Sequence, residues 1–190
     1  MDLANYLSNY SSLINGPGAL GGINAIAELF KDKINMGGKI LLFGNGASAS
    51  LAAHAATDFT KQAGIRAVTF HDPSLITAFS NDFGYENWMA RASEFYGDEH
   101  DAMVLISVSG ESSSIIKAAE FAKKKGLPIV GFSGREQDNK LQGLSDISMH
   151  VPSHAFNVVE NVHSIWLTAV VDLIVGTDVY EVSHVGDIGE

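Results

Sequence analysis

Hydrophobic residues along this chain gather into short continuous runs, separated by longer stretches in which they recur every three or four positions. The runs "KILLF" (39–43), "IRAVTF" (65–70), "AMVLISV" (102–108), "LPIVGFS" (127–133) and "DISMHV" (146–151) have the length and β-prone content of strands. Residues 48–63, 74–81 with 85–97, and 112–125 keep a helical period, as do the stretch before Lys39 and the long segment 156–176. Such alternation builds βαβ units, and runs that are apolar throughout fit parallel strands covered by helices on both faces. The pattern predicts an α/β fold, three-layered and doubly wound. "NGPGALGG" (15–22) interrupts the helical period, so the first residues are expected to pack as a separate arm. Segment 156–176 is apolar around much of its circumference, which predicts burial on several sides and suits an oligomer. Residues 177–190 show little period and are expected to form a mobile tail or an arm on a neighbouring subunit.

Composition narrows the reading. A length of 190 residues with 46% hydrophobic content fits one domain with a substantial core. There is no cysteine, which excludes disulfides and thiolate metal sites. The net charge of −10 argues against nucleic-acid binding, which needs a basic face. Lys123, Lys124 and Lys125 stand just before Gly126, where cations suit a helix dipole and glycine suits the left-handed turn that ends a helix. With no continuous apolar run of about 18 residues and no basic, apolar leader at Met1, neither a membrane span nor a secretory signal is expected, and the expected setting is the cytoplasm.

In a doubly wound sheet ligands bind beyond the carboxyl ends of the strands. Two loops there carry chemistry: Gly44-Asn45-Gly46-Ala47-Ser48 after the first strand, and Ser107-Val108-Ser109-Gly110-Glu111-Ser112 after the third, each leading into a helix. Glycine lets backbone approach a ligand, and a helix start offers unpaired N–H groups to an anion. Serine hydroxyls add donors without charge. Each loop alone also reads as ordinary helix capping; together they point to a phosphate. No Walker loop and no G-x-G-x-x-G occurs, so a phosphorylated small molecule is expected rather than ATP or a dinucleotide.

The segments "LLFGNGASASLAAH", "SLITAFSNDFGYEN" and "LISVSGESSSIIKAAEFAKKKGLPIVGFSG", with the late helix, resemble the sugar isomerase (SIS) domain over roughly residues 35–175, and "NDFGYEN" (81–87) resembles its sedoheptulose 7-phosphate isomerase, or phosphoheptose isomerase, branch. The resemblance implies a five-stranded parallel sheet of flavodoxin-like order over residues 39–176, a helical arm over 1–38, and a tail over 177–190. It further implies a homotetramer with sites at subunit interfaces, a phosphorylated sugar held by Asn45, Ser48, Ser107, Ser109 and Ser112, and Asp82 near the sugar hydroxyls. The implied reaction interconverts ketose and aldose phosphates through an enediol and requires no cofactor, although some members bind zinc.

The chain departs from the family's pattern where protons move. Members place a His and, four residues on, a Glu after the first loop; here these are His54 and Asp58. On the late helix the family's Gln is Glu160 and its His, eight residues on, is Thr168; His163 lies about 140° around the helix from that position. Val108 replaces a usual threonine. Two readings follow. Either Glu160 is the base, with His54 and Asp58 as acid partner or, together with Glu160, as three N/O ligands acceptable to zinc; or proton transfer is lost and the cradle only binds, as in relatives that hold other proteins, including one that assists the bacterial replication initiator. His54 and Asp58 also fit a plain i,i+4 surface pair, and Glu160 a solvated side chain near a helix start.

Overall fold

The computed structural model describes residues 2–179. Five strands form one parallel sheet in the order β2-β1-β3-β4-β5. They are β1 (Ile40–Gly44), β2 (Ala67–Thr69), β3 (Ala102–Ser107), β4 (Ile129–Gly134) and β5 (Ile147–Val151). Every residue of β1, β3 and β4 is buried, which is why these runs carry apolar residues without alternation. Successive side chains still point to opposite faces. Ile40, Leu42, Val104 and Ile106 enter one core cluster, while Leu41, Phe43, Met103 and Leu105 enter the other.

On the first face lie α1 (Leu3–Ile14), α2 (Ala19–Asn35), α3 (Ala47–Lys61) and α8 (Phe156–Val175); on the second lie α4 (Pro73–Phe83), α5 (Trp88–Tyr96), α6 (Ser113–Lys125) and the short α7 (Lys140–Leu144). Asp72 caps α4 by accepting from the N–H groups of Ser74 and Leu75. Lys123, Lys124 and Lys125 fill the last turn of α6, and Gly126 follows in the left-handed conformation at φ 72°.

The expected N-terminal arm divides. Ile26, Ala27 and Phe30 of α2 have no exposed surface and sit in the same core as Trp166 and Val170 of α8, so α2 is a layer of the domain. That helix begins at Ala19, inside the interruption read over 15–22, because Gly18 (φ 84°) already makes the turn and the bare face of Gly22 admits Met149. α1 docks onto α8 through Trp166, whose indole N–H donates to the Ile14 carbonyl at 3.0 Å.

By length and mean hydropathy (1.5) α8 could cross a membrane. Its apolar face instead lies in the core, where Val158, Val159, Val162, Trp166, Leu167, Val170 and Val171 are buried. His163 is buried among them, its Nε2–H donating to the Ser133 carbonyl at 2.9 Å. Burial lowers its pKa to about 4. A neutral imidazole in the fold and an ordinary one in the unfolded chain give stability that is complete above pH ~6.5 and is lost as pH falls towards about 4, a loss on the order of 3 kcal/mol. Urea midpoints should therefore fall between pH 6.5 and 4, and His163→Leu should flatten that slope while lowering the midpoint at pH 7.

Of the expected tail, residues 180–190 lie outside the described residues.

Candidate functional site

Both glycine-bearing loops stand at the carboxyl edge of the sheet, side by side because β1 and β3 are neighbours. In the first, β1 ends on Gly44, and a Cβ there would lie 2.4 Å from the Ser48 backbone, so only glycine lets α3 start so close to the strand. In the second, Gly110 has φ 66° and a Cβ there would meet the Asn139 carboxamide at 2.0 Å.

Three serines of the second loop converge. Ser107 Oγ donates to Ser112 Oγ at 3.2 Å and lies 3.5 Å from Ser109 Oγ. The Gly110 N–H donates to Ser107 Oγ and the Glu111 N–H to Ser109 Oγ, both at 3.2 Å, fixing the turn. Asn45 ties the loops together, donating to Ser114 Oγ at 3.0 Å and accepting from the Tyr85 hydroxyl at 2.9 Å. Neither α3 nor α6 carries an acidic residue in its first turn or a side-chain cap on its first N–H groups. Two positive helix ends therefore face one opening.

That opening is a cleft of about 370 Å³, which brings Asn45 and Ser48 together with Ser107, Ser109 and Ser112. Val108 and Ile106 add apolar wall. From α8 comes Glu160, whose carboxyl is pushed above the ordinary range by partial burial. Arg135, at the end of β4, and Phe156, at the start of α8, complete it. Neither was legible as a site residue: "SGREQ" has no motif, and Phe156 reads as one more apolar helix position. The available signal was that Arg135 directly follows a strand on the ligand-binding edge.

The remaining expected residues lie elsewhere in this chain. His54 Nε2 and Asp58 Oδ2 pair at 3.1 Å on α3, with the His54 side chain 61% exposed. Burial raises the Asp172 carboxyl, and the charges of Asp178 and Asp58 add to this. Asp58 thus faces a part of α8 about 18 Å along the helix from Glu160. The expected zinc set of His54, Asp58 and Glu160 does not fit as one site within the chain, and among the described residues no three His, Cys, Asp or Glu side chains cluster as metal ligands. Thr168 turns its hydroxyl into its own helix, donating to the carbonyls of Ser164 and Ile165. Asp82 accepts from Asn81 Nδ2 at 2.9 Å and lines a separate depression with Arg91 and Glu94.

Fold and loops together define a SIS-type domain, and the family model described as the SIS domain matches residues 17–134. The structure is similar to that of phosphoheptose isomerase from Neisseria gonorrhoeae, with a TM-score of 0.83 at 26% identity over 90% of this chain and 97% of that one. In sequence it is 35% identical over 147 residues to phosphoheptose isomerase of Thermodesulfovibrio yellowstonii, spanning 74% of this chain and 73% of that protein. The corresponding protein of Roseiflexus sp. is 39% identical over 147 residues, 74% of each chain. The chain belongs to the phosphoheptose isomerase family of SIS-domain proteins.

Proposed function

We propose that the protein is a phosphosugar isomerase that interconverts a ketose phosphate of the sedoheptulose 7-phosphate type and its aldose through an enediol. The observation that carries this reading is Glu160: a carboxylate with a raised pKa shares one cleft with three converging serine hydroxyls and two uncapped helix starts. The serines, Asn45, Ser48 and the helix N–H groups bind the phosphate. Glu160 then takes a proton from C1 of the open-chain ketose and returns it to C2, and partial desolvation brings its pKa nearer the working pH, as general bases require.

His54 and Asp58 enter as an acid partner supplied by a neighbouring subunit of a homotetramer. The exposed imidazole of His54 on α3, paired with the half-buried Asp58, and the exposed Ile165 and Leu173 on the adjoining helix α8 support that assembly. Asp82, exposed on α4, reaches sugar hydroxyls by the same route. The serine cradle suits a small phosphorylated ligand, the net charge of −10 argues against nucleic acid, and the setting belonging to this reading is the cytoplasm.

A second reading, a phosphosugar-binding protein without turnover, is favoured by Thr168, whose hydroxyl is tied to its own helix and leaves the family's histidine position without a proton carrier. Incubation with sedoheptulose 7-phosphate separates the two. Accumulation of an aldose heptose phosphate supports the isomerase; saturable binding with no product supports the binder.

A further inference from the structure

Resting on the phosphate-cradle reading, we propose that Arg135 is the charge-neutralising residue of the cradle, closing its guanidinium onto the dianionic phosphate and setting the preference for a dianion over a monoanion or an unphosphorylated sugar. Serine hydroxyls and helix N–H groups donate hydrogen bonds but bring no full positive charge, and Glu160 adds a negative one to the same cleft. Arg135 is the one cationic side chain among the described residues lining it.

Its placement is built into the backbone. The Gly134 N–H donates to the Val108 carbonyl at 3.0 Å, which fastens the end of β4 to the serine loop, and the Arg135 N–H donates to the Ser153 carbonyl at 3.0 Å. Between these bonds Arg135 is held at φ 61°, in the left-handed region that glycine or asparagine adopts far more readily. An arginine kept in such a conformation beside a ligand cleft is an outlier that points to use. The guanidinium lies 6.0 Å from the Phe156 ring centroid, which orients it at the cleft. No carboxylate among the described residues forms an ion pair with it, whereas the neighbouring cation Lys140 is engaged by Glu111 at 2.8 Å. Arg135 also stands by Val108, where the resemblance places a lost threonine hydroxyl.

The test is calorimetric titration with sedoheptulose 7-phosphate and with inorganic phosphate, for wild type, Arg135→Gly, Arg135→Gln and Arg135→Lys. Arg135→Gly relieves the backbone while removing the charge, so its melting temperature should equal or exceed that of wild type. Its affinity should fall about 10- to 100-fold, the usual loss for a charge-assisted bond to phosphate. Wild-type affinity should rise as pH passes through about 6, where a phosphate monoester becomes dianionic, and this rise should shrink in the Gly and Gln variants. Lys should recover part of both. If turnover is present, KM should rise with little change in kcat, as for an interaction made equally in ground and transition states. A wild type that binds while Gly and Gln bind within about twofold of it, a difference far below that of one charged hydrogen bond, overturns the role of Arg135 alone. A wild type that binds neither probe overturns the cradle and this proposal with it.

Discussion

Glu160→Gln is expected to remove nearly all isomerase activity, by about 10³-fold in kcat, within the range a general base supplies, while leaving the affinity for the sugar phosphate within a few-fold of wild type. The substitution keeps size and hydrogen bonding but removes the group that accepts a proton. The partly buried Glu160 carboxyl has a pKa above the ordinary carboxylate value. Since the base works ionised, kcat of the wild type at saturating sugar, where the ionisation of the free phosphate does not enter, should fall on the acid side with a midpoint above that of a free glutamate, and the residual kcat of the variant should lack that limb. The comparison also separates the two functional readings, because a protein that only binds has no rate for Glu160 to support.

Ser109→Ala with Ser112→Ala is expected to act on the opposite quantity, weakening sugar-phosphate binding by about 10²-fold or more, since each hydrogen bond to a charged group contributes about 1.5–3 kcal/mol. Ser107 is left in place because it is buried and is the hydroxyl beside which Ser109 and Ser112 both lie; Ser109 also accepts the Glu111 N–H, so its loss removes one bond of the turn, which the melting temperature reports. The two effects need not add, because Ser109 and Ser112 both lie beside Ser107 Oγ. Calorimetric titration of the double variant, with its melting temperature as a control on folding, measures the effect.

Much of the architecture was legible because burial writes itself into hydrophobic pattern. β1, β3 and β4 are covered on both sides, so their runs are continuous and could be recognised as parallel strands. β2 shrank to three residues at the sheet edge. The five-residue helix α7 is too short to show a period. α2 reaches two residues further back than its helical period shows, because Gly21 and Gly22 weaken the pattern while Gly22 makes room for Met149.

The site divides in the same way. That the residues of the proposed cradle share one cleft was readable because they are contiguous loop residues at strand ends, where adjacency in sequence is adjacency in space. Residues on helices were harder. Glu160 and Thr168 occupy the same helix, yet one lines the cleft and the other bonds back to its own turn, a difference of rotamer and facing that spacing alone does not carry. His54 and Asp58 were correctly paired by their i,i+4 spacing, but their separation from Glu160 depends on how far α3 descends along α8. Arg135 was invisible because its meaning lies in a backbone conformation and in hydrogen bonds to residues far along the chain.

The central claim, that a carboxylate on α8 moves a proton on a sugar held by the serine loop, is tested most directly by proton NMR of sedoheptulose 7-phosphate in heavy water with wild type and with Glu160→Gln. The account predicts deuterium entering C1 of the ketose and aldose signals growing with the wild type, and neither with the variant although its sugar resonances still broaden on binding. Equal exchange in both proteins, or broadening with no exchange in the wild type, would contradict it.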